Sequence, residues 1–406
     1  MADENAVASK EKKRHSVKEI GAAGTDFLQN HKQIYTKHRK KILVFFLCVV
    51  AIILCVLMYQ LQKYDDFDVK ETYERVDSAE THYVDFQGNL LKYSRDGTFY
   101  TEYDGDLIWN YTYEMSNPKI DVCDNYILIY DVQGTQAAIL TNTGFEQSIK
   151  TAMPIVDAKI ASQGTVAILM QDGETGYVQL CDDAGKVLAS GELHMKNSGY
   201  PMAIALSLDA QRLMVSQLDV KDGSVKTTIS FYDFSNKGKD EIDNIIATYS
   251  FSDQIFPQIA YVDGGKAIAF GDSEIIVFND NAKASIAKEI FVQGQMESVF
   301  YDDKYCGVIC QATDDEGQYI NQLTVYTLSG RKRMQKAVEI ASTNAEFLSN
   351  HEILLSNNKE VELYTLQGIK KFAYEFDTSI YKIIPQDASR RYVFVEDGHT
   401  DVVRMK

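Results

Sequence analysis

Two stretches decide the fold: His82-Tyr-Val-Asp-Phe-Gln-Gly-Asn-Leu-Leu-Lys-Tyr-Ser-Arg-Asp-Gly97 and Pro118-Lys-Ile-Asp-Val-Cys-Asp-Asn-Tyr-Ile-Leu-Ile-Tyr-Asp-Val-Gln-Gly134. Each is a short apolar stretch, a polar turn, a longer apolar stretch and a second turn. Each then runs into two more alternating segments, Thr98–Tyr103 and Leu107–Tyr113 in the first, Thr135–Thr141 and Phe145–Lys150 in the second. Alternation with period 2 between tight turns is the signature of strands, and four in succession make an antiparallel meander.

The cadence continues over Ile155–Leu193, Tyr200–Phe251, Phe256–Val292, Glu297–Ile340 and Thr343–Phe376, and a shorter set spans Ile380–Met405. Asp-Gly pairs supply the φ > 0 positions that hairpins need, at Asp96-Gly97, Asp104-Gly105, Asp172-Gly173, Asp222-Gly223, Asp263-Gly264 and Asp397-Gly398. At Ser207-Leu208-Asp209-Ala210, Ala stands where a turn Gly is expected. The stretch 81–406 divides into eight units of about 41 residues, the length of four-stranded propeller blades. The fold class is therefore all-β, a β-propeller of four-stranded antiparallel blades, with eight blades favoured and seven the alternative. The last unit shows three strands, and Asp68–Val76 is placed to supply its fourth, closing the ring and removing sheet edges.

Upstream, the chain changes character. Residues 1–41 carry a net charge of +5 against −17 for the 406-residue whole, with Lys37, Arg39, Lys40 and Lys41 at their end. The run that follows, Ile42 to Leu61, holds no charge. Twenty residues at about 1.5 Å each span a hydrocarbon core of about 30 Å. The expected order is a basic cytoplasmic tail (1–41), a transmembrane helix (42–61), a juxtamembrane segment supplying the closing strand (62–80) and an extracytoplasmic propeller (81–406). A cleaved signal peptide fits poorly, because the run is long and leads into Tyr59-Gln60-Leu61-Gln62-Lys63 without a small-residue exit. Lipid attachment at Cys48 or Cys55 fits less well, since Leu precedes each.

The acidic balance excludes binding of bare nucleic acid phosphate. Catalytic constellations fail in turn. His351-Glu352 opens like a zinc-protease helix, but Leu355 occupies the place of the second His. G-x-S-x-G and C-x-x-C are absent. His82, His194, His351 and His399 fall in different units and read as surface or packing residues. Asp65-Asp66, Asp302-Asp303 and Asp314-Asp315-Glu316 lack calcium-loop spacing and read as turn charge. Cys306 and Cys310, four residues apart on a strand, are too far apart to bridge, and with Cys123 and Cys181 they read as free thiols. No catalytic, cofactor-binding or metal-ligating residue is assigned, and no cofactor.

Asp104-Gly-Asp-Leu-Ile-Trp109 resembles the blade-docking repeat of quinoprotein-like propellers, which implies that Trp109 packs against the next blade. The adjacent cysteines those enzymes use are missing. Gly199-Tyr-Pro-Met-Ala-Ile-Ala-Leu-Ser-Leu-Asp209, Leu213-Met-Val-Ser216 and Ile229-Ser-Phe-Tyr-Asp-Phe234 resemble a family of single-pass, membrane-anchored bacterial propeller proteins found mainly in Gram-positive anaerobes. That resemblance implies location and fold and no activity. The expected function is a membrane-anchored binding or scaffolding module for an envelope protein, peptide or glycan, in which Tyr93, Tyr100, Tyr103, Tyr111 and Tyr113 serve either an interface or strand packing. An enzyme or ligand sensor with a site assembled from propeller loops is the alternative.

Overall fold

In the computed structural model, residues 41, 43–52 and 62–406 are described, apart from 79, 194, 196–198, 222, 236–237, 239–240, 263–264, 282, 314–316, 343 and 388–389. The chain divides into two units, Met1–Gln62 and Lys63–Lys406. In the first, residues 43–52 are helical, with Leu43, Val44, Phe45 and Phe46 exposed. Among the described residues no helix is long and apolar enough to cross a membrane, and positions 42 and 53–61 of the apolar run lie outside them.

The second unit is an eight-bladed propeller. Eight separate four-stranded antiparallel sheets follow one another along the chain: blades 1 to 7 cover residues 82–112, 118–150, 155–193, 200–252, 258–291, 295–338 and 344–375. Blade 8 joins Ile380–Pro385, Arg391–Glu396 and His399–Met405 to Phe67–Glu74 from the other end of the chain. In blades 1 to 7 the strands pair in chain order, and first strands of neighbouring blades approach one another, so they line the central channel and fourth strands form the circumference. The closing strand begins one residue earlier and ends two earlier than the sequence suggests. Val76 stands fully exposed, past the point where the Arg75 N–H bonds to the Gly398 carbonyl (2.7 Å).

Alternation produces two apolar faces per sheet, and each packs on a neighbouring blade. Leu128, Ile139, Ile155, Ala158 and Ile168 form one such core between blades 2 and 3. Phe231, Phe256, Ile276 and Phe278 form another between blades 4 and 5. At about 25 cal/mol per Å², a layer of this kind between every pair of blades supplies most of the driving force. Phe67 of the closing strand packs edge-on against Tyr374 and Phe394, both at 5.0 Å, so closure buries an aromatic cluster as well as pairing a strand.

A β-bulge recurs in the fourth strand of every blade. The unpaired residues are Ile108, Glu146, Leu188, Ile246, Ala287, Arg333 and Lys371, and in blade 8 Lys70 of the closing strand. A bulge twists the strand and interrupts its outer ladder, which makes the eight circumferential edges poor templates for a fifth strand. That Phe67–Glu74 carries one too marks it as a true fourth strand. Ala210 takes the left-handed conformation reserved for the missing turn glycine, at φ 54°, with its N–H bonded to the Ser207 carbonyl (2.8 Å).

Candidate functional site

The inner strands carry a set of half-buried charges along the channel. A first strand has no neighbour on its inner edge, so its backbone groups need other partners. Asp121 Oδ2 accepts the Ile160 N–H of the next blade (2.9 Å), and Asp157 Oδ2 accepts the Ile204 N–H of the blade after that (3.1 Å). Lys159 lies 3.6 Å from both Asp121 and Asp157, and the Tyr130 hydroxyl donates to Asp157 (3.0 Å). Opposite, Lys382 pairs with Glu346 at 2.6 Å, and Asp85 accepts the Tyr103 hydroxyl (3.1 Å).

Burial raises the Asp121 and Asp85 carboxyls above the ordinary range, although Lys159 and Tyr103 respectively oppose the shift. Burial pulls the Lys159 ammonium down, and Asp121 and Asp157 more than reverse it, so it stays protonated. Carboxylates do converge here, but their oxygens are engaged by a backbone amide, a lysine or a tyrosine. The cluster braces one inner strand to the next.

A different feature opens on the outside, between blades 3 and 4. After each bulge, the first and third residues of the fourth strand face the next blade: Trp109 and Tyr111 in blade 1, Lys288 and Ile290 in blade 5, Phe372 and Tyr374 in blade 7. In blade 3 those positions are Ala189 and Gly191. Where the others drive a large side chain into the seam, this one leaves a cleft of about 420 Å³. A Cβ built on Gly191 meets nothing within 4 Å, and its backbone is outside the left-handed region. Leu180, Leu213 and the stacked rings of Tyr232 and Phe234 (6.4 Å, 8°) form apolar walls, with Gln217 and Asp243 as polar groups. Burial pushes the Tyr232 hydroxyl up to about 12.

Trp109 shows what such a seam normally holds. Its ring lies 5.4 Å from Tyr100 and its indole N–H donates to the Asn142 carbonyl in the third-to-fourth strand turn of blade 2 (3.1 Å). The packing role expected of Trp109 is therefore the observed one. In blade 4 the same turn ends at Asp243 and Asn244, which line the cleft.

The tyrosines are largely taken up in packing. Tyr100 and Tyr113 donate to the carbonyls of Phe86 (3.0 Å) and Ser94 (2.9 Å), and Tyr111 stacks on Phe145 (4.7 Å). His82 stacks on Tyr93 (5.1 Å), and His194 lies outside the described residues. Asp302 accepts the N–H groups of Lys304 (2.8 Å) and Tyr305 (2.6 Å) and contacts His351 at 2.7 Å, so it is turn charge as expected. Asp66 accepts the Phe67 N–H (2.8 Å), and 314–316 lie outside the described residues. Cys123, Cys181, Cys306 and Cys310 are free; burial pushes Cys306 up to about 12. Sequence reasoning missed both the braces and the cleft. Asp85 and Asp121 hold matching places in the two stretches quoted first, and that repetition was the available signal.

The pattern that defines a family of unknown function (DUF5711) matches residues 60–405, and the chain belongs to that family. No curated protein matches it. Among solved structures, BamB from Moraxella catarrhalis is similar at 14% identity and a TM-score of 0.51, covering 84% of this chain and 100% of its own. Sqt1 of Saccharomyces cerevisiae is similar at 12% identity and a TM-score of 0.56, covering 85% of this chain and 99% of its own. At such identities the likeness is one of fold.

Proposed function

We propose that this member of the family is a membrane-anchored binding or scaffolding module with its propeller outside the cytoplasm, and that it holds a protein partner through the seam between blades 3 and 4. The uncharged run at 42–61 and the basic residues before it support the anchor and its orientation. The carrying observation for binding is the missing wedge at Ala189 and Gly191. The cleft sets the apolar walls of Leu180, Leu213, Tyr232 and Phe234 beside polar groups that include Glu192, Gln217 and Asp243, and its counterpart between blades 1 and 2 is filled by an indole that reaches a turn carbonyl. The occupant that fits is an aromatic side chain with a polar tip, presented by a partner protein, since such residues dominate interface anchors.

Gly191→Trp supplies the wedge from within. Crosslinking in native membranes with full-length wild type, Gly191→Trp and a surface control, Lys226→Gln, tests the reading. The expected result is a reproducible set of envelope proteins captured by wild type and control and lost with Gly191→Trp, at an unchanged or higher melting temperature. Capture of the same partners by Gly191→Trp would remove the cleft from the proposal, and no propeller-dependent partner in any arm would sink the scaffold reading.

A further inference from the structure

The last hairpin of the chain runs from Arg391–Glu396 through Asp397 and Gly398 into His399–Met405. Three side chains converge on it. His399 Nε2 lies 3.8 Å from Glu396 Oε2 and 3.8 Å from Asp401 Oδ2, and the three atoms all fall within 4.8 Å of one another. The side chains of Glu396 and Asp401 are each 9% exposed and that of His399 is 29% exposed.

Two independent observations point to something held between them. First, the Asp401 carboxylate faces His399 at ion-pair distance, and its Oδ1 is fully buried with no hydrogen-bond partner. A buried carboxylate oxygen without a donor is costly, by about 1–3 kcal/mol or more when charged. Second, His399 Nδ1 is 3.1 Å from the Asp397 carbonyl. In the neutral ring that contact fixes the proton on Nδ1 and turns the Nε2 lone pair toward two carboxylates, which is how a metal-ligating histidine is oriented by its outer partner. Glu396 Oε2 is oriented in the same way by the Thr378 hydroxyl (2.9 Å). Arg75 donates to the Glu396 carbonyl and pairs with Asp77, while its Nε is buried without a hydrogen-bond partner.

We propose that Glu396, His399 and Asp401 bind a divalent transition-metal ion, Zn²⁺ by preference, which staples the hairpin at the seam where the ring closes. Tetrahedral ligands about 2.0–2.2 Å from one ion stand roughly 3.3–3.6 Å apart, so the 3.8 Å from His399 to each carboxylate needs to shorten by only a few tenths of an ångström. One imidazole with two carboxylates selects a zinc-like ion over Mg²⁺ or Ca²⁺, and water completes the sphere on the side where His399 is exposed. His399 pairs with Glu74 and Asp401 with Thr72 of the closing strand, so occupancy and closure are linked. The Asp302, Asp303 and His351 group lacks this character: Lys304 Nζ stands 3.1 Å from His351 Nε2 and fills the cation's place.

The full-length protein, purified in detergent without chelator and dialysed against trace ZnCl₂, is the material for the test. Elemental analysis is expected to find about one zinc per wild-type and per Asp302→Asn chain and none in His399→Ala or Asp401→Asn. EDTA is expected to lower the wild-type melting temperature by roughly 3 °C or more, with re-added zinc restoring it. Asp401→Asn separates the readings, because it also removes the buried charge. With zinc present it melts below wild type if the ion is real. Equal zinc content in wild type and both ligand variants, or an EDTA-insensitive wild type that Asp401→Asn surpasses, would overturn the proposal.

Discussion

Lys159 concentrates the electrostatics of the channel in one side chain. It stands between Asp121 and Asp157, and its side chain keeps 30% of its surface, enough for water to screen it in part. Removing one partner of an enclosed charge group costs more than the group is worth, because the remaining charges stay behind unpaired. Lys159→Met is expected to lower stability by about 2–3 kcal/mol. Adding Asp121→Asn to that variant returns part of the loss, because one of the stranded charges goes with it. Urea unfolding of the two variants checks this, and a double variant no more stable than the single would show that Asp121 acts through its bond to the Ile160 N–H alone.

At the scale of elements, the closing strand is the clearest dependency. Without Phe67–Glu74, the strand His399–Met405 becomes an exposed outer edge and the Phe67 ring leaves Tyr374 and Phe394. Edges of that kind recruit other chains, and the bulge that protects the circumference of blade 8 is carried by the strand being removed. A chain beginning at Val76 is expected to self-associate, where one beginning at Lys63 sediments as a single species. Monomeric behaviour of the shorter chain would show that the three-stranded blade is sufficient. Blade phasing was legible in the sequence because Asp-Gly turns and period-2 runs are local signals, and the three-stranded last unit implied its missing partner. The cleft was not legible, because it is an absence. Ala189 and Gly191 are unremarked in a strand until they are set beside Trp109, Phe372 and Tyr374 in register, and register depends on the bulges. His399 read as a surface residue for a related reason: Glu396 and Asp401 flank it closely in sequence, but only the hairpin turns all three to one point.

The whole molecule has a distinctive acid response. Burial raises the carboxyls of Asp85, Asp121, Asp280 and Glu274 above their ordinary values. For such groups the native state binds protons more readily than the unfolded chain, so their contribution is full below the unfolded value and is lost as pH rises through the folded one. Asp66 and Asp68 act the other way: backbone and Lys406 hydrogen bonds lower them, and their contribution is lost only as pH falls below about 4. The net charge of −17 adds self-repulsion that fades toward the pI of about 4.9. The melting temperature is therefore expected to rise from pH 7 toward about 5 before it falls. A scan by differential fluorimetry between pH 4 and 8 reads this directly, and a steady fall from pH 7 to 5 would contradict it.

Pairing the first strand with the last also sets a timetable. Phe67–Glu74 leaves the ribosome 325 residues ahead of His399. At about 5–20 residues per second, that interval is roughly 15–65 s. For most of it, until Tyr374 and Phe394 are made, Phe67 has no aromatic neighbours, and throughout it seven blades have no closed ring to belong to. A nascent chain cut short anywhere before the last hairpin can therefore never finish, and it displays an unsatisfied strand beside its own N-terminal segment, where a protease surveying incomplete products would find it.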